Sequence, residues 1–144
     1  MSGRILVVDD EPYIRDLVRE TLKLRKYETG VAANGLEALD ILAREAYDIV
    51  ITDVVMPGMG GMDLVKQVKK SHPQVRIIVL TGYPRQSDIG DFLLQGADEF
   101  LSKPFRGNDL VEVIRRLEER SARSGGAAAG DSPSALPGGP GAGS

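Results

Sequence analysis

The chain has 144 residues, 18 Lys plus Arg against 21 Asp plus Glu for a net charge of −3, and 42% hydrophobic residues, the balance of an ordinary globular domain that can bury a core without staples. It contains no cysteine, which excludes disulfides, thiolate metal sites and cysteine nucleophiles. Its basic residues are scattered rather than gathered into a stripe, which argues against direct nucleic-acid binding, and no stretch approaches the roughly 20 apolar residues of a membrane span.

The first element is the run RILVV, in which Ile5 to Val8 are apolar and rich in β-branched residues, as in a strand covered on both faces. That run is too short for a signal-peptide core, so a cytoplasmic protein is expected. Asp9, Asp10 and Glu11 follow, then Pro12, suited to the first turn of a helix. Ile14, Leu17, Val18 and Leu22 recur at helical spacing and predict its buried face. ETGVAA is the second strand, and Leu36, Leu39, Leu42 and Ala43 predict the buried face of the second helix. YDIVIT is the third strand and is followed by Asp53. Helix three carries Leu64, Val65 and Val68, and opens after Gly60, which offers no side-chain cap. VRIIVL, the fourth strand, is again almost wholly apolar and is followed by Thr81.

Pro84 suits the start of a fourth helix, which is the weakest. Gly90 inside it costs about 1 kcal/mol relative to Ala, and its apolar positions are few: Ile89, Phe92 and Leu93. Gly96 suits a left-handed position closing it. DEFLS is the fifth strand and leads to Lys103 and Pro104; Leu110, Val113, Ile114 and Leu117 mark the fifth helix. Residues 1–123 therefore form one domain, and the Gly, Ala, Ser and Pro of 124–144 read as a flexible tail or linker. Five strands alternating with five helices predict an α/β fold, a (βα)5 doubly wound parallel five-stranded sheet of flavodoxin type with helices on both faces.

In such a sheet ligands bind beyond the carboxyl ends of the strands. Those ends hold Asp9, Asp10 and Glu11 after strand one, Asp53 after strand three, Thr81 after strand four and Lys103 after strand five. Carboxylates brought together repel one another unless a cation joins them, and a set of oxygen donors without His or Cys suits Mg²⁺ or Mn²⁺. A remaining carboxylate can then act as a nucleophile toward phosphorus, with a lysine and a hydroxyl neutralising the transferred group. Taken singly, each residue has a plainer reading. Glu11 could cap helix one, Asp53 could be a turn residue, Thr81 could cap helix four, and Lys103 could be a solvated lysine. His72, the one histidine, has no assigned role.

The motifs VVDDE at 7–11, NGLEAL at 34–39, TDVVMPGMGG at 52–61, LTG at 80–82 and SKPF at 102–105 resemble, in order and spacing, the receiver domain of two-component response regulators, the CheY-like family. The resemblance covers residues 4–120. It implies a phosphorylation switch rather than a conventional enzyme. Asp53 would be the phosphoacceptor, with Mg²⁺ held by Asp53, Asp10, the Val55 carbonyl and, mainly through water, Asp9. Thr81 and Lys103 would contact the phosphoryl oxygens, and Lys103–Pro104 would be a cis peptide bond. Phe100 would be the switch aromatic, turning inward as Thr81 moves. The implied partners are a sensor histidine kinase and an output protein or missing effector domain, met through the surface of helix 4, strand 5 and helix 5; any phosphorylation-dependent dimer would use the same surface. Val55 and Tyr83 would border the approach of hydrolytic water, the first unable to orient it and the second obstructing it, so slow self-dephosphorylation is expected.

Other readings fit less well. A flavodoxin-like nucleotide binder needs a phosphate loop after strand one, where this chain places acids. A phosphatase with an Asp nucleophile would carry it after strand one in an Asp-x-Asp arrangement. A degenerate receiver would lack part of the phosphorylation set.

Overall fold

The computed structural model describes residues 3–54, 58–82 and 86–128. Strands β1 (Arg4–Val8), β2 (Glu28–Ala32), β3 (Ile49–Asp53), β4 (Arg76–Thr81) and β5 (Glu99–Ser102) alternate with helices α1 (Pro12–Leu24), α2 (Gly35–Arg44), α3 (Gly61–Ser71), α4 (Gln86–Gln95) and α5 (Gly107–Ala128). The strands form one parallel sheet in the order β2-β1-β3-β4-β5. Two compact units divide the chain, residues 1–113 and 114–144. The first holds the sheet, α1 to α4 and the opening turns of α5. The second holds the rest of α5, where Ile114 and Leu117 are buried and Arg115 pairs with Glu119 one turn on.

The strand order fixes the layers. The chain steps from β1 to β2 in one direction and from β2 through β3 and β4 to β5 in the other, so right-handed crossovers put α1 on one face and α2, α3 and α4 on the other. Side chains alternate accordingly. Leu6, Val8, Val50, Ile77 and Val79 join a core with Ala38, Leu42, Leu64, Val65, Val68 and Phe92. Ile5, Val7, Ile51, Ile78 and Leu80 are buried on the opposite face, that of α1 with its Ile14, Val18 and Leu22.

Most expected helix faces are present: α3 buries Leu64, Val65 and Val68, and α5 buries Leu110, Val113, Ile114 and Leu117. The face of α2 is rotated from the expected one. Gly35, Ala38 and Leu42 are buried, while Leu36 is 64% exposed and Ala43 is exposed. The reason is close packing at the small residues, since a Cβ on Gly35 would lie 2.8 Å from Met59 Cγ. In α4 Phe92 is buried but Leu93 points outward, 48% exposed.

Caps follow the local sequence. Pro12 opens α1. Asn34 caps α2 by accepting from the Glu37 amide at 2.9 Å, and Glu37 reaches back to the Ala33 amide at 2.6 Å. Gly60, at the N-cap of α3, supplies no side-chain bond. Gly96 closes α4 with φ +116 and the paired bonds of a Schellman motif, Ala97 N–H to Phe92 O at 3.0 Å and Gly96 N–H to Leu93 O at 3.1 Å. Lys26 ends α1 by the same motif with φ 67, a left-handed residue that is not glycine and that the sequence reading did not anticipate. Helix α5 is assigned as far as Ala128, past the expected domain end at 123; residues 129–144, most of the expected tail, lie outside the described residues, as does Pro84.

Candidate functional site

Strands β1 and β3 are neighbours at the point where the strand order reverses, so a crevice opens beyond their carboxyl ends. Val8 pairs with Thr52, and the next residues, Asp9 and Asp53, therefore leave adjacent strands side by side. Asp53 is in turn paired with Leu80, which places Thr81 one step further on the neighbouring strand. Thr81 pairs with Ser102, and its carbonyl accepts the Lys103 amide at 2.7 Å. Parallel register alone thus gathers the four strand ends. Asp9, Asp53 and Thr81 are buried, and Asp10 is exposed.

The side chains converge. Asp9, Asp10 and Asp53 each offer a carboxylate oxygen, all within 4.8 Å of one another. Lys103 Nζ lies 3.0 Å from Asp9 Oδ2, 3.1 Å from Glu11 Oε1 and 3.3 Å from Asp53 Oδ1. Asp53 Oδ1 also accepts the Val54 amide at 2.8 Å. Burial, reinforced by the neighbouring Asp9 charge, holds the Asp53 carboxyl above its ordinary pKa against the opposing pull of Lys103 and the Val54 amide. Burial also works against the Lys103 ammonium, but its bonds to Asp9 and Glu11 and the charge of Asp53 outweigh it and raise its pKa.

The plainer readings of several residues do not survive this geometry. Glu11 stands at the N-cap of α1 but makes no side-chain cap bond; it turns to Lys103 instead. Lys103, with its side chain 16% exposed and three carboxylates around it, is not a solvated lysine. The Lys103–Pro104 bond is cis. Phe100 is half-buried against the core, its ring edge-on to Phe92 of α4 at 5.9 Å and 82°. Val55 and Tyr83 lie outside the described residues.

Two supporting residues were missed from sequence. Arg15 donates to the Asp9 carbonyl at 2.6 Å. Gly61 approaches the back of Asp53, because a Cβ there would stand 2.4 Å from Asp53 O and 2.9 Å from Val54 Cα. The Gly60-Gly61 pair was a visible sign of close approach. Arg15 gave no sign, since it reads as an ordinary polar position of an amphipathic helix.

At the switch point of a doubly wound sheet, a buried acid thus stands beside a second acid and a lysine, an arrangement whose oxygens could hold a hard cation. The family model of the response regulator receiver domain matches residues 5–115, and the chain belongs to that family, as the motifs implied. It is 35% identical over 116 residues to the sporulation initiation phosphotransferase F of Bacillus subtilis, covering 81% of this chain and 94% of that one. It is 36% identical over 121 residues to the response regulator MprA of Mycobacterium bovis, covering 84% of this chain but 53% of the relative, so it spans about half of that protein. Among solved structures, TrrA of Thermotoga maritima in complex with Mg²⁺-BeF superposes with a TM-score of 0.72 at 41% identity, covering 79% of this chain and 97% of that one. The chemotaxis protein CheY4 of Vibrio cholerae superposes with a TM-score of 0.77 at 33% identity, covering 81% and 98%.

Proposed function

We propose that this receiver domain is a phosphorylation switch in which Asp53 takes a phosphoryl group from a sensor histidine kinase. The observation that carries the reading is the convergence on Asp53 of two further carboxylates within 4.8 Å and of Lys103 at 3.3 Å. An Asp53 carboxylate oxygen attacks phosphorus, the bond from phosphorus to the donor imidazole breaks, and its electron pair returns to the imidazole nitrogen. Lys103 stands where it can neutralise phosphoryl oxygens, and Thr81 offers a hydroxyl from the adjacent strand. The donor set of Asp9, Asp10 and Asp53, all oxygen, fits Mg²⁺, with the Val55 carbonyl as a further ligand; when bound, the ion supplies charge neutralisation and alignment of the phosphoryl oxygens. The Mg²⁺-BeF complex of TrrA and the phosphotransferase name of the Bacillus relative support the same chemistry here.

The switch works through packing. Phe100 has no hydroxyl, so movement of Thr81 reaches α4 through the Phe100 ring and its edge contact with Phe92. The surface of α4 and β5, with α5, is the output face toward a partner protein, an effector domain or a second phosphorylated copy. Val55 and Tyr83 make the acyl phosphate long-lived. The family to which the chain belongs favours action in the cytoplasm; no helix among the described residues is long and apolar enough to cross a membrane.

The test is direct. Incubation with acetyl phosphate and Mg²⁺ should add one phosphoryl group by intact mass, and Asp53→Asn or chelation should abolish it. Label persisting in Asp53→Asn would refute the assignment.

A further inference from the structure

Asp9 is fully buried and every one of its polar groups is engaged. Its amide donates to Ala32 O at 3.1 Å, Oδ1 accepts the Glu11 amide at 2.9 Å, Oδ2 accepts Lys103 at 3.0 Å, and its carbonyl accepts Arg15 Nη1 at 2.6 Å. The last bond is charge-assisted and short. It satisfies a carbonyl that the α1 ladder does not reach, since the first amides of the helix, Ile14 and Arg15, turn back to Glu11 O. That carbonyl shares one rigid peptide plane with the Asp10 nitrogen. Holding its oxygen therefore fixes the direction in which Asp10 departs from the strand.

We propose that Arg15 is a positioning residue that locks the Asp9–Asp10 peptide, keeps the exposed Asp10 carboxylate beside those of Asp9 and Asp53, and so sets the affinity of the site for Mg²⁺. The inference rests on the Mg²⁺ reading above. Charge alone makes the opposite demand: removing a cation near a cation site should tighten Mg²⁺ binding, whereas removing a positioning bond should weaken it. The sign of the effect separates the two.

Calorimetric titration of the full chain with MgCl2 reads the dissociation constant directly, without phosphotransfer. The wild type should bind; absence of binding would overturn the Mg²⁺ reading itself, and this inference with it. Arg15→Met should weaken binding by about tenfold, the scale at which groups that orient metal ligands act. Arg15→Lys, which keeps a donor able to reach the carbonyl, should recover most of the loss. Arg15→Gln, a second neutral variant, gives the reading should Arg15→Met fail to fold. Unchanged or tighter binding in the folded neutral variant, beside a wild type that binds, would overturn the positioning role and leave the metal site standing.

Discussion

Asp53 is the residue at which stability and chemistry oppose each other. Its carboxyl is raised because burial and the Asp9 charge outweigh Lys103 and the Val54 amide. The folded state therefore holds the proton more tightly than the unfolded chain, and stability is lost as pH rises from the unfolded carboxyl pKa through the folded one. Asp53→Asn removes that penalty. Thermal melts without metal should show the variant more stable than wild type at neutral pH, with the gap closing toward pH 4 and shrinking in Mg²⁺, whose binding to the folded state offsets the same repulsion. A gap independent of pH would show that carboxylate ionisation is not its cause. Gly61 packs against the backbone behind Asp53. In Gly61→Ala the new methyl would meet the backbone at 2.4 Å, where no flexible side chain can yield, so a loss of about 1 to 3 kcal/mol and slower acetyl phosphate labelling are expected, read by urea unfolding and intact mass.

Among the elements, α4 is held firmly at one end. Gly96 closes it, and just beyond, Asp98 accepts the Ile77 amide at 2.8 Å while lying 3.7 Å from Lys69 and 4.0 Å from Arg76. A Cβ on Gly96 would strike Lys69 Cγ at 2.4 Å, and its φ of +116 suits glycine alone. Gly90 is different, since nothing lies within 4 Å of the space its Cβ would fill. Gly90→Ala should therefore stabilise the protein by about 1 kcal/mol, while Gly96→Ala destabilises it. At the end of α1, Lys26→Gly should also gain about 1 kcal/mol by relieving a left-handed residue with a Cβ. Chemical denaturation of the three variants ranks them, and a loss in Gly90→Ala would show that helix propensity does not limit α4.

At the scale of the whole fold, the strand ends that gather the site also lead toward α4. Thr81 ends β4, Lys103 follows β5, and Phe100 of β5 meets Phe92 of α4. In the proposed switch an anion drawn to Lys103 and Thr81 would pull on the two strands that lead to α4, the short helix that carries Gly90, and low-stability elements supply moving parts. Hydrogen exchange on adding Mg²⁺ and beryllofluoride should change most across residues 82–105. Changes confined to α1 and α2 would place the route elsewhere.

The alternation of elements, the apolar strands, the acids and lysine at strand ends and the breaking glycines were legible in the sequence because they depend on local periodicity and on residue types with narrow conformational or chemical uses. Several other features came only from the tertiary structure. The face of α2 turned toward small residues because Met59 packs into the space beside Gly35, and hydrophobicity alone would have chosen Leu36. Glu11 became a partner of Lys103 rather than a helix cap, and Arg15 found the Asp9 carbonyl, because positions 92 and 6 residues apart met in space. A side chain's partner depends on what the fold places within 3 Å of it, and neither residue type nor spacing along the chain encodes that distance.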